Sequence, residues 1–178
     1  MSTHSDLHPF SYVVLVLVGR DGAGPHDLKV MAVKGRVYWD AAPSQWYAEP
    51  KRLQKLGYLD ARSEPGRTRR RTHYTLTDRG RAALEEWVRT PSPLPRTQNE
   101  SIVRLLAADL VDPAGVLEGL DGMRSEIEEA LEQVAAARAQ WAELPHRTHL
   151  LEVNGRYATK LLELQREWLD EARRALRP

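Results

Sequence analysis

From Val116 to Leu144 one pattern repeats without a break: Val116, Leu120, Met123, Ile127, Ala130, Val134, Ala137, Trp141 and Leu144 follow at spacings of four and three. An apolar residue every 3.5 positions commits a segment to a long helix with a hydrophobic seam, because only that period keeps the seam facing a partner helix. Asp112-Pro113 supplies an N-cap and a first-position proline, and Pro145 ends the run. A second long helix is expected beyond it, with Leu150, Val153, Tyr157, Leu161, Leu164, Trp168 and Ala172 along one face, and a shorter one over residues 99–110. Two such helices bury little alone, so the pattern calls for another copy of the chain. The residues expected at that dimer contact are Val116, Leu120, Met123, Ile127, Val134, Trp141, Leu161, Leu164 and Trp168.

Upstream the organisation changes. RTPSPLPRT, residues 89–97, carries three prolines and cannot be regular helix or strand. The expected division is a domain over 1–90, a Pro-rich linker over 91–97 and the helical domain over 98–178. Within the first domain, GAGP is a turn and Pro25 starts a helix, PHDLKVMAV, closed by Lys34-Gly35. A second helix covers residues 43–57 and stops at Gly57. YLDARSE and THYTLT read as strands joined through Pro65-Gly66, a hairpin with a basic tip and with Tyr74 and Leu76 on one face. Thr77 caps a final helix, DRGRAALEEWV, with Leu84, Trp87 and Val88 expected to face inward. YVVLVLV at 12–18 passes for a buried strand on periodicity alone. The expected class is mainly α, a winged helix-turn-helix with a small hairpin wing followed by long dimerisation helices.

Composition narrows the function. Residues 1–90 hold 15 Lys/Arg against 10 Asp/Glu, and residues 91–178 hold 11 against 15. A basic half joined to an acidic half points to nucleic-acid contact on one side. There is no cysteine, hence no disulfide and no thiolate chemistry. The longest apolar run is far short of the ~20 residues of a membrane span, and no signal-peptide pattern surrounds it, so a cytoplasmic protein is expected. His146, His149 and Glu152 share a helical face that could hold zinc, but the metalloprotease placement of a glutamate beside the first histidine is missing. No phosphate loop, dinucleotide fingerprint or nucleophile elbow occurs. No catalytic residue, metal or cofactor is expected.

The basic residues are better organised. On a helix over 43–57, Trp46, Pro50, Leu53 and Gly57 share one face, flanked by Glu49 and Leu56. Ser44, Tyr47, Ala48, Lys51 and Lys55 take the opposite face, with Gln45 and Arg52 at its edge. Pro50 removes a backbone hydrogen bond, a cost of about 3 kcal/mol, but it lies on the buried side and leaves the outer surface intact. A kink near Trp46 is expected. Arg67, Arg69, Arg70 and Arg71 crowd the hairpin tip, where they could reach phosphates or a narrow minor groove. The candidate DNA-binding set is Ser44, Gln45, Tyr47, Lys51, Arg52, Lys55 and these four arginines.

WYAEPKRLQKLGYL resembles the recognition-helix stretch of the PadR family of transcriptional regulators, in which a Tyr is followed by Lys-Arg-Leu and the helix closes at Gly. RTRRRTHYTLTDRGRAALEEW resembles that family's wing and following helix, down to Leu-Thr-x-x-Gly, and the long helices resemble its C-terminal dimerisation region. The resemblance implies a homodimeric, nucleoid-associated repressor bound to double-stranded operator DNA at a near-palindromic site. It implies that residues 12–18 are helix, that Tyr47, Lys51 and Arg52 face DNA, and that a small aromatic effector is a further partner, although no residue identifies it. The chain departs from the family pattern at Pro50, where an aliphatic residue is usual. A helical interaction adaptor whose winged domain docks protein, and more remotely an enzyme using His146 and His149, are the other classes left open.

Overall fold

Residues 12–18 are helical. Helix α1 runs Pro9–Val18, started by a first-position proline, and it buries Phe10, Ser11, Tyr12, Val14, Leu15 and Val18. A helix apolar around most of its circumference belongs at the centre of a domain, which is why its β-branched run does not pair as a strand. The computed structural model describes residues 4–34, 39, 41–65, 70–95 and 98–177. They form two units, 1–94 and 95–178.

In the first unit, α2 (Pro25–Lys34), α3 (Gln45–Lys55) and α4 (Asp78–Trp87) pack around α1 with the antiparallel hairpin β1 (Leu59–Glu64) and β2 (Arg71–Leu76). The register pairs Leu59 with Leu76 and Glu64 with Arg71. Tyr74 is buried and Leu76 half-buried, and Ala23 exchanges two backbone hydrogen bonds of 3.0 Å with Tyr74, tying the loop before α2 to the hairpin. The core gathers Val14, Leu15, Leu28, Trp46, Leu53, Tyr58 and Leu59. Gly35, Gly66, Arg67 and Arg69, which entered the turn and wing expectations, lie outside the described residues, as do 96 and 97 of the Pro-rich stretch.

The expectation for α4 needs correction. Ala83 and Gly80 are its buried residues, Leu84 is half-buried, and Trp87 and Val88 are 38% and 68% exposed. Trp87 stacks flat on Tyr12, ring centroids 4.8 Å apart, and covers the edge of the core instead of entering it. The reason lies in the first turn. Thr77 caps the helix by accepting from the Gly80 amide at 3.0 Å, and at Gly80 a Cβ would collide with the Tyr58 carbonyl oxygen. Contact this close brings the start of α4 against the start of β1 and leaves its last turn at the rim.

In the second unit, α5 (Glu100–Leu106), capped by Asn99, and a 3-10 turn lead to α6 (Pro113–Ala139), capped by Asp112. Helix α7 (Thr148–Ala175) returns antiparallel, with Asp121, Arg124 and Glu128 paired to Arg173, Asp170 and Arg166. The heptad does not stay in one helix: α6 stops at Ala139, and a 3-10 turn holds Trp141. There the carbonyls of Trp141 and Leu144 accept from the Thr148 hydroxyl, at 2.8 and 3.1 Å, and the chain turns back through residues 145–147.

The assignment of the α6 seam is also corrected. Val116, Leu120 and Ile127 are buried within this one chain, where α6 pairs with α7, so they are not available to a second copy. Met123, Val134 and Trp141 are half-buried on the same helix pair. The face of α7 that meets α6 carries Gly155, Ala158, Leu162, Leu169 and Ala172. Its other apolar face, with Leu150, Val153, Tyr157 and Leu164 all above 50% exposed, is the one left open; Leu161 and Trp168 are half-buried beside it.

Gly80→Ala supplies the test of the α4 docking. Helix propensity alone favours alanine by about 1 kcal/mol. Overpacking against the Tyr58 backbone should reverse that and destabilise the fold by about 1–3 kcal/mol, measured by urea unfolding of the full chain.

Candidate nucleic-acid interface

Helix α3 is built to show one face and bury the other. Its first turn is fastened by the Gln45 side chain, which accepts from the Ala42 amide at 3.1 Å. At its end Gly57, at φ 79°, closes a Schellman motif in which Tyr58 N–H donates to the Leu53 carbonyl at 2.9 Å and Gly57 N–H to that of Gln54 at 3.0 Å. Trp46, Glu49, Pro50 and Leu53 are buried. Trp46 meets Phe10 edge to face, centroids 4.8 Å apart. The helix continues through Pro50, whose ring is fully buried.

Ser44, Gln45, Tyr47, Lys51 and Lys55 are brought together on the exposed face, with Ala48 and Gln54 among them. Tyr47 is 40% exposed. Between Ser44 and Gly57 the one acid is Glu49, and it points inward. The outward face is therefore cationic and carries hydroxyl, amide and phenol groups, the donors and acceptors that read base edges in a major groove.

Arg52 does not belong to that face. Its Nε donates to Glu49 Oε2 at 2.9 Å and its Nη2 to Glu49 Oε1 at 2.8 Å and to Ser11 Oγ at 2.9 Å. Its Nη1 donates to the Asp6 carbonyl at 3.0 Å. Ser11, fully buried, donates to Glu49 Oε1 at 2.7 Å and accepts from the His8 amide at 3.1 Å. His8 Nε2 lies 3.4 Å from Glu49 Oε2. Swinging Arg52 out to a phosphate would take the guanidinium from the buried Glu49 carboxylate, a cost of about 1–3 kcal/mol, so its expected DNA contact is withdrawn. Burial opposes the charge on Glu49, but hydrogen bonds from Arg52 and Ser11 outweigh it and hold the carboxyl below its ordinary value. The Glu49 hydrogen bonds raise Arg52 above its own.

The network continues along residues 4–8. Tyr58, on the far side of α3, donates to Asp6 Oδ1 at 2.7 Å, which lowers the Asp6 carboxyl. Arg79 donates to the Tyr58 oxygen at 3.1 Å and lies 4.4 Å over its ring, and His4 Nδ1 is 3.0 Å from the same oxygen. Composition and periodicity could not find this cluster, since Ser11 and Asp6 are 41 and 46 positions from Arg52.

The hairpin arginines are partly committed. Arg70 donates to Ser63 Oγ at 2.7 Å and to the Ser63 carbonyl at 2.8 Å, while Arg71 stands 3.6 Å from Glu64 across the strands. Both are exposed. Arg62, on β1, is an exposed cation that the sequence reading passed over because it lies outside the arginine run. Among the described residues no group of three or more metal-ligating side chains is placed to hold an ion.

A model of the transcriptional regulator PadR-like family matches residues 29–86, which hold α3, the hairpin and most of α4. The negative transcriptional regulator PadR of Bacillus subtilis (strain 168) is 33% identical over 67 residues, so the matched stretch spans 37% of this chain and 37% of that relative. Among solved structures, a PadR-like transcriptional regulator from Bacillus cereus superposes with a TM-score of 0.79 at 17% identity, over 99% of this chain and 100% of that one. Bacillus subtilis PadR in complex with operator DNA gives 0.71 at 20% identity, over 95% and 98%. The same protein in complex with p-coumaric acid gives 0.64 at 20% identity, over 94% and 96%. At these identities the structures establish a shared fold.

The buried pair makes a pH prediction. A carboxyl held lower in the folded than in the unfolded chain stabilises the fold above its unfolded value, and the contribution is lost as pH falls through the folded value. Thermal melts of the full chain should lose this contribution as pH falls below the ordinary glutamate range. Glu49→Gln should cost about 1–3 kcal/mol at neutral pH, the lower part of the buried-pair range because the Arg52 side chain is 37% exposed and solvent screens it. It should also flatten the acid limb of the melt series.

Proposed function

We propose that this chain is a member of the PadR-like family of transcriptional regulators, whose model matches residues 29–86, and a DNA-binding repressor that acts as a homodimer on a near-palindromic operator. The observation that carries the reading is the outer face of α3: Ser44, Gln45, Tyr47, Lys51 and Lys55 exposed together, with its one acid turned into the core. Ser44, Gln45 and Tyr47 stand at the amino-terminal end, which enters the groove in helix-turn-helix docking, and they choose sequence. Lys51 and Lys55 serve phosphates, as do Arg67, Arg69, Arg70 and Arg71 of the wing. The likeness to Bacillus subtilis PadR held on operator DNA supports this assignment.

The dimer is supported by apolar surface that one chain leaves uncovered. Leu150, Val153 and Leu164 lie on one face of α7, and Ile102, Val103 and Leu106 are exposed on α5. A surface of this kind marks an association site. The domain over 98–178 is thus proposed as the dimerisation domain, through the outer face of α7 and not the α6 seam. Release by a small aromatic effector is proposed on the analogy of the same Bacillus subtilis protein held with p-coumaric acid. The location is proposed as the cytoplasm; among the described residues no helix is long and apolar enough to cross a membrane.

Two measurements test these assignments. In a salt titration of duplex binding by anisotropy, Lys51→Ala with Lys55→Ala should flatten the slope of log K against log salt by about 0.9 per lost contact, for preferred and scrambled duplex alike. Tyr47→Phe or Ser44→Ala should leave the slope unchanged and weaken only the preferred site, by about 1–3 kcal/mol. In light scattering, Leu164→Asp should yield a folded monomer. Ile127→Asp should instead unfold the helical unit, because an unpaired charge buried between α6 and α7 costs several kcal/mol.

A further inference from the structure

Pro50 has no N–H, so the turn of α3 that contains it lacks the backbone bond that elsewhere fixes one turn on the next. That turn separates two groups of outward residues: Ser44, Gln45 and Tyr47 before it, Lys51 and Lys55 after it. Glu49 and Arg52 flank the proline, and their side chains bind each other twice at 2.8–2.9 Å. Both then reach Ser11 of α1, and Arg52 reaches the Asp6 carbonyl. Four of the five N–H groups of the guanidinium are thereby used on protein. The side chains supply around Pro50 the constraint that the backbone cannot, and they anchor it to α1 and to the segment 4–8. The carboxylate of the same Asp6 ties that segment to Tyr58 and Arg79 as well.

We propose that Glu49 and Arg52 are positioning residues for the recognition helix. Together with segment 4–8 they fix the aim of Ser44, Gln45 and Tyr47 relative to Lys51 and Lys55, and so set operator preference without touching DNA. The inference rests on the DNA-binding reading above. It separates two quantities that a direct contact would change together. Loosening the clamp leaves every phosphate-binding cation in place, so affinity for arbitrary duplex and its salt dependence stay as they were. What falls is the advantage of the preferred sequence, since base contacts demand tighter geometry than phosphate contacts.

The experiment uses the full chain and a duplex enriched by the wild type from a random-sequence pool, with a scrambled duplex as reference. Arg52→Lys is the decisive variant, because lysine keeps the charge but cannot form the planar fork on Glu49. At a temperature where circular dichroism reports full folding, Arg52→Lys and Glu49→Gln should each reduce the preference ratio about tenfold, the worth of one good base contact. The salt slope and the scrambled-duplex affinity should not move. Asp6→Asn, at the less buried end of the network, should give a smaller loss in the same direction, and it decides the matter if the other two fail to fold. A ratio unchanged in every folded variant would reduce the network to a stabilising role and overturn the proposal. So would Arg52→Gln flattening the slope by about 0.9 while Arg52→Lys does not, since that marks a phosphate ligand. A wild type that enriches no duplex contradicts the DNA-binding reading itself, a result distinct from either.

Discussion

The two-pronged contact between Arg52 and Glu49 is what ties the recognition helix α3 to α1 and to residues 4–8. It sits at the one turn of α3 that proline has deprived of a backbone bond, and it is buried against a fully enclosed serine. A buried ion pair of this kind contributes little net stability, because desolvation consumes most of the attraction. What it contributes is geometry: a planar fork on the carboxylate admits one arrangement, and two further guanidinium N–H groups donate to Ser11 and to the Asp6 carbonyl. The opposite face of the same helix can then be polar and exposed without losing its orientation. Inside and outside of α3 are two consequences of one constraint.

The second unit obeys a different constraint. Helix α7 carries an apolar surface wider than one antiparallel partner covers, with an exposed stripe adjoining the buried one. Cross-helix pairs of Arg124 with Asp170 and Arg173 with Asp121 fix the antiparallel register within the chain. Leu150, Val153 and Leu164 are left for something else to cover. On the proposed function, reading a near-palindrome requires a second copy in a fixed relation to the first, and an apolar helix face too large for its own chain is a direct physical means of obtaining one.

Local features were legible in the sequence, and distant ones were not. Thr77 announces a cap because cap chemistry acts over three residues. The outer face of α3 could be drawn from spacing alone, since 100° per residue decides which side chains share a side. Arg52 could not be placed that way: it lies at the edge of the face, and its inward commitment depends on groups 41 and 46 positions away. The α6 heptad signalled that a seam must be covered, yet periodicity cannot say whether the cover comes from the same chain or another. Trp87 and Val88 were expected inside because they are large and apolar. Gly80 and Ala83 took the buried positions because small residues let α4 come closer.

The chain has no cysteine, so a single one can be introduced and labelled without a background. The most direct test places a DNA-cleaving iron chelate on Ser44→Cys in the otherwise unaltered protein and maps the cuts on a duplex enriched by the wild type. The account predicts two clusters of cuts, symmetric about the centre of the site and in successive major grooves, about one helical turn apart. Cuts scattered along the duplex, or none on a duplex that the protein demonstrably binds, would contradict the assignment of α3 as the reading element.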